Sequence, residues 1–139
     1  MPYAFALEDP ADRVRPGAGA EDAGVPGVDA HLAYGVQRVV ARPDMDSALI
    51  VRVGKGGAWL ARPGAEAELV AGFPVHAIDT NGAGDCHAGV LCAELSRGTG
   101  LREAVGIANA AAAIAVTRRG PATCPSRIEV EKLLAMQTL

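Results

Sequence analysis

The sequence predicts an α/β domain, and three observations carry that expectation. Short β-branched runs separated by glycine come first, a helical period takes over from Ala83, and each helical stretch ends in stop signals. Ala48-Leu49-Ile50-Val51-Arg52-Val53 is an apolar run closed by Gly54, as a strand would be. Gly54-Lys55-Gly56-Gly57 reads as a tight turn, and Ala58-Trp59-Leu60-Ala61 as the returning strand. A further extended piece is expected near Glu68 to Ala71. Val75-His76-Ala77-Ile78 is expected as a short strand that delivers the chain to Asp79.

From Ala83 the period changes. Gly84, Ala88, Leu91 and Leu95 recur at helical spacing and are expected to form the buried face of a helix running to about Arg97, stopped by Gly98. A second helix from about Leu101 places Leu101, Val105, Ala108, Ala112 and Ala115 on one face, and Arg118-Arg119-Gly120-Pro121 ends it. Ser126-Arg127-Ile128-Glu129 has the form of a capping box opening a last helix to about Met136. Leu32 to Ala41 is a short helix or a strand. Residues 2–29 are rich in Pro, Gly, Ala and acids with no surviving apolar period, and read as linker. The expected organisation is a linker or remnant segment over 1–45 and a folded unit over 46–139.

Bulk properties exclude several functions. The chain has 139 residues, half of them hydrophobic but only 4% aromatic, which suits close packing of small side chains. A net charge of −3 gives no global field toward nucleic acid or an anionic membrane, so a bound polyanion must meet a local site. No apolar run approaches the ~18 residues of a membrane span, and Met-Pro-Tyr does not open a signal peptide. Three cysteines without regular spacing point to a reducing, cytoplasmic setting; Cys86 and Cys92, about 9 Å apart along one helix, cannot bridge.

Chemistry is expected at the strand–turn–helix around Asp79-Thr80-Asn81-Gly82-Ala83-Gly84-Asp85. Gly82 and Gly84 let backbone N–H groups approach a ligand without a Cβ in the way. Those amides lie in a first helical turn, without intrahelical acceptors and at the positive end of the helix dipole, where a phosphate is favoured. Asp85 in the same turn can accept a proton from a hydroxyl that attacks phosphorus. The bland alternative is an acid that merely complements the helix dipole. The loop is not a Walker A motif, since no Lys-Ser/Thr follows, and it lacks the third glycine of a dinucleotide fingerprint.

Wider context favours the chemical reading. Asp79 to Asp85, followed by Gly89, closely resembles the D-T-x-G-A-G-D-x-x-x-G signature of the PfkB/ribokinase family of carbohydrate kinases. Val51-Arg52-Val53-Gly54-Lys55-Gly56-Gly57-Ala58 resembles that family's V-T-x-G-x-x-G-A hairpin. Ala108-Asn109-Ala110-Ala111-Ala112-Ala113, then Val116-Thr117-Arg118-Arg119-Gly120, is similar to its A-N-A-A-A-A…V-T-R-x-G tail. The motifs stand in the family's order and cover about residues 48 to 135.

The resemblance implies the C-terminal portion of a ribokinase-like, three-layer α/β/α fold. It implies ATP-dependent phosphorylation of a sugar or related hydroxyl, with Asp85 as general base and Gly82, Ala83 and Gly84 as the anion hole. Gly54, Gly57, Asn81 and Asn109 would contact the nucleotide, with Asn109 flanking adenine. Asp79, Asn81, Val116 and Gly120 would surround a monovalent cation such as K+, and Mg2+ would arrive with ATP. The implied partners are a nucleotide and a small sugar, with no nucleic acid and no membrane. Two departures stand out: Asn81 where Thr or Ser is commoner, and Arg52 where the hairpin motif has Thr.

The family's N-terminal half, which supplies the lid and most sugar contacts, is not recognisable in residues 1–45. Two expectations follow. The first is a sugar kinase complete only with another chain or as part of a longer gene product that holds the missing N-terminal half. The second is a truncated, catalytically silent fragment that at most binds a nucleotide or a partner chain. An unpaired sheet edge favours homodimerisation. Other residues read mainly as structure. Cys86-His87 diverge by about 100° on a helix and suggest no metal pair. Cys86 is either a thiol activated by the helix start or a packing residue. Trp59 reads as core or hairpin cover. Arg118 and Arg119 read equally as phosphate contacts and as helix C-terminal charges.

Overall fold

The computed structural model describes residues 47–137. The expectations for residues 2–29 and for Leu32 to Ala41 lie outside them. Strands β1 (Leu49–Arg52), β2 (Gly57–Ala61) and β3 (Glu68–Ala71) form an antiparallel meander in the order β1-β2-β3. Helices α1 (Ala83–Ser96), α2 (Leu101–Val116) and α3 (Arg127–Gln137) follow.

The hairpin between β1 and β2 closes through a 3-10 turn at Gly54–Gly56, where the Val53 amide donates to the Gly57 carbonyl at 2.9 Å. Gly57 cannot be exchanged there. It has φ 102°, and a Cβ on it would lie 2.2 Å from the Val70 carbonyl oxygen of β3. Register then sets the faces: Leu60 opposes Ile50 and Ala58 opposes Val70, so these side chains share one side of the sheet.

That side packs on α2, in a core of Ala58, Leu60, Val70 and Val105 with Ile50, Leu91 and Leu101 against it. The opposite side carries Leu49, Val51, Trp59, Ala61 and Ala67, so Trp59 covers the hairpin as expected. α2 lies between the sheet and the other helices. Its alanines 104, 108, 110 and 111 are fully buried, and only small residues let neighbours approach from several directions. Cys86, Ala110, Ala111, Ala115 and Val130 close the second core among the three helices.

The expected helix ends are found. Gly98 at φ 86° closes α1 in a Schellman motif, with the Thr99 amide on the Glu94 carbonyl and the Gly98 amide on that of Leu95. Glu129 reaches back to the amide of Ser126 at 2.8 Å and to its hydroxyl at 2.9 Å, opening α3.

Two expectations need correction. Residues 75–78 form no strand among the described residues: the Ile78 amide donates to the Val116 carbonyl at 2.7 Å, and the segment is fixed to the end of α2 instead of a sheet. The buried face of α1 is also rotated from the expected one. Ala88 and Leu95 are exposed, while Cys86, His87 and Glu94 are buried. Two of these three are polar, so apolar period could not reveal the face. Their burial is tolerated because each has partners: His87 bonds Asn109, and Glu94 takes Thr99 Oγ1 at 2.9 Å and Arg127 at 2.9 Å.

Candidate active site

The loop before α1 is built around Gly82. Gly82 is its N-cap and adopts φ 76°, the left-handed region. A Cβ there would stand 1.9 Å from the Pro121 carbonyl oxygen, so the loop after α2 presses directly on the glycine. The Ala83 amide bonds the Thr80 carbonyl at 3.3 Å, which closes the turn. The amides of Gly84 and Asp85 follow in the first turn, where no helical acceptor lies behind them.

Asp79 fixes the loop. Its Oδ1 accepts the Asn81 amide and its Oδ2 the Gly120 amide, each at 3.0 Å. These two amides hold the carboxyl below the usual carboxylate range, so Asp79 is ionised at neutral pH. The Val116 carbonyl accepts the amides of Ile78 and Asp79, at 2.7 and 3.1 Å. The last carbonyls of α2 thus acquire partners and the loop acquires its position in one arrangement.

The first turn of α1 is shared by two recesses. A cleft of about 720 Å³ runs between the hairpin turn, residues 72–77, the start of α1 and α2. Gly54, Gly57, Ala83, Gly84, Asn109 and Val116 line it. A smaller recess of about 380 Å³ holds Gly82 and Asp85, with Pro121 and Cys124 on its far wall. Asp85 is exposed there. Asp79, Asn81 and Gly120 line neither of these recesses.

Asn109 is more constrained than a nucleotide contact would need. Its Nδ2 donates to the carbonyls of Val70 at 2.9 Å and Ala71 at 3.1 Å. Its Oδ1 faces His87 Nε2 at 3.0 Å, so that nitrogen carries the proton and donates. The side chain joins β3, α2 and α1 behind the cleft. Burial is the main cause that lowers the His87 pKa, with the Arg52 charge adding to it, and the ring is neutral.

Two features escaped the sequence. One is this His87–Asn109 link, whose residues lie 22 positions apart with no spacing signal to couple them. The other is the contact made by Arg52, whose Nη1 donates to the Gly84 carbonyl and draws the hairpin onto the start of α1. Arg118 pairs with Glu129 and ties the end of α2 to α3. Cys86 is a packing residue, its thiol pushed up to about 12 by burial and by neighbouring Cys124. No group of three or more His, Cys, Asp or Glu side chains suited to a metal occurs among the described residues. None of the described helices is long and apolar enough to cross a membrane.

A family model for pfkB family carbohydrate kinases matches residues 35–128. The chain belongs to the pfkB family of carbohydrate kinases. Within that family it is similar to the uncharacterized sugar kinase YegV of Escherichia coli K12, 44% identical over 82 residues, or 59% of this chain and 25% of that one. Among solved structures, the ribokinase of Thermotoga maritima is 40% identical with a TM-score of 0.61, over 64% of this chain and 30% of that chain. The Arabidopsis thaliana ribokinase, solved with ribose and ATP, is 29% identical with a TM-score of 0.59, over 63% and 28%. The described residues are thus the C-terminal portion of a ribokinase-like fold. The chain spans only 25% to 30% of the length of these pfkB-family relatives.

Proposed function

We propose that this chain carries the nucleotide-binding and phosphoryl-transfer portion of an ATP-dependent kinase acting on a sugar or related hydroxyl. The observation that carries the proposal is the shared first turn of α1. It presents Gly84 to a nucleotide-sized cleft on one side and Asp85 to a separate recess on the other. Phosphoryl transfer needs donor and acceptor oxygens roughly in line across the phosphorus, and two recesses meeting at one anion-binding turn suit that requirement.

In the proposed step the acceptor hydroxyl gives its proton to the Asp85 carboxylate as its oxygen bonds to the γ-phosphorus. The bond from that phosphorus to the β,γ-bridging oxygen breaks, leaving ADP. The amides of Gly84 and Asp85 and the dipole of α1 stabilise charge on the transferring group. Gly54 and Gly57 admit the nucleotide close to the hairpin backbone, and Asn109 holds the cleft wall in place. Mg2+, when bound, neutralises phosphate charge and is held mostly by phosphate and water.

For a monovalent cation such as K+, the ionised Asp79 is the fitting donor, with Asn81 and Gly120 beside it. Val116 fits less well, because both lone pairs of its carbonyl already accept amides. A small sugar is the proposed acceptor, and a reducing cytoplasm the proposed setting. We also propose a linker over 1–45 and a kinase portion over 46–139.

The second reading is a silent fragment that binds a nucleotide or a partner chain, a second copy or a separate N-terminal half. The segment 75–78, which joins no strand among the described residues and leaves Val75 39% and Ile78 55% exposed, favours it, since exposed apolar chain usually meets a partner. Titration with ATP and a coupled ADP-release assay over a panel of sugars separates the two. Sugar-dependent ADP release establishes the kinase; binding without release leaves the fragment; no nucleotide binding removes the kinase reading for this chain.

A further inference from the structure

Five of the seven arginines among the described residues pair with carboxylates. Arg52 is placed differently. It ends β1, and its side chain reaches across to a residue 32 positions away, where Nη1 donates to the Gly84 carbonyl in the first turn of α1. A guanidinium carries five N–H donors in a rigid fork, and this contact uses one of them. The helix start beside it already bears partial positive charge, so a cation there is opposed unless an anion joins them.

The rest of the cleft points the same way. Lys55 stands on its wall with Arg52, and none of its lining residues is an Asp or Glu. This is a cationic enclosure in a chain whose net charge is −3. Low-dielectric walls focus such a local field.

We propose that Arg52 is a specificity residue that grips the terminal phosphates of the bound nucleotide. The inference rests on the nucleotide reading of the cleft. It adds that the cleft selects its ligand by the length of the phosphate chain, through an arginine fork in place of a hydroxyl. Planar, charge-assisted hydrogen bonds to phosphate oxygens suit guanidinium better than any other side chain.

The test compares ATP and AMP binding to the 139-residue chain by calorimetry, in wild type, Arg52→Met and Arg52→Lys. Arg52→Met keeps most of the length of the side chain and removes the charge. The expected result is a loss of ATP affinity of about ten- to a hundredfold in Arg52→Met, with AMP affinity held within about twofold. Arg52→Lys should fall between, as a point charge without the fork. Unchanged ATP affinity in Arg52→Met overturns the proposal while leaving the nucleotide site standing. Equal losses for ATP and AMP also overturn it, because they mark Arg52 as a strap between the hairpin and α1. A wild type that binds neither ligand overturns the nucleotide reading and this inference together.

Discussion

Asp79 and Gly120 are 41 residues apart in the chain, yet the Gly120 amide donates to Asp79 Oδ2 at 3.0 Å. That bond fastens the loop before α1 to the loop after α2, and the second carboxylate oxygen orders Asn81. The pKa of Asp79 is lowered in the folded state by these two amides, from an ordinary value of 3.8. A depressed carboxylate contributes stability that is complete above its unfolded value and is lost as pH falls through the folded one. Asp79→Asn should therefore lower Tm at neutral pH, and the gap from wild type should close below pH 3.8. Thermal unfolding of both proteins across pH 2 to 7 checks this, and a gap that persists at the acid end contradicts it.

The two glycines of α1 and its cap should respond in opposite senses. Gly82→Ala forces a Cβ to 1.9 Å from the Pro121 carbonyl at φ 76°, and should destabilise by about 1–3 kcal/mol. Gly89 is helical and a Cβ on it meets nothing within 4 Å, so Gly89→Ala should stabilise by about 0.5–1 kcal/mol. Urea titration of the pair measures both, and the same sign for the two changes would contradict the local geometry.

Asn109 holds the cleft wall from behind. Asn109→Ala leaves the carbonyls of Val70 and Ala71 and the ring of His87 without their partner, at a cost of about 1–3 kcal/mol for each buried group left unpaired. A drop in stability together with weakened AMP binding is expected. If Asn109→Ala weakened AMP binding at wild-type stability, the side chain would be a direct base contact instead.

Local order was legible where one stretch of chain specified it. The β-branched run at 49–51, the glycines of the hairpin, Gly98 and the Ser126–Glu129 cap each declare a structure through their own chemistry. The turn before α1 was legible for the same reason, since the left-handed backbone at Gly82 calls for glycine. What could not be read were agreements between distant residues. The orientation of α1 depends on two polar side chains finding partners in α2, α3 and the turn after it. The strand expected at 75–78 had the right residues but no neighbour to pair with among those described. A strand is a property of two segments, and one of them cannot declare it alone.

His87 gives the site a titration of its own. Burial lowers its pKa from 6.5, so the folded protein resists a proton that the unfolded chain accepts. Stability should be full above pH 6.5 and decline as pH falls from there toward the lower folded value. His87→Gln keeps a donor for Asn109 Oδ1 but does not titrate, so its unfolding midpoint should be flat between about pH 6.5 and 5. Urea midpoints for wild type and variant over that interval decide the matter; parallel slopes would assign the decline to another group.

Asp85 should separate chemistry from binding. It is exposed at the first turn of α1 and donates nothing to the packing, so Asp85→Asn should change stability by no more than about 0.5 kcal/mol. The amides of Gly84 and residue 85 remain, and with one negative charge removed beside them ATP should bind at least as tightly as in wild type. The proton acceptor, however, is gone. Sugar-dependent ADP release should fall by about 10²–10⁴-fold, the usual contribution of a positioned base. The assay is run with the chain in whatever assembly shows release in the wild type. A parallel loss of ATP affinity would place Asp85 in the nucleotide site instead, and unchanged release would remove it from the reaction.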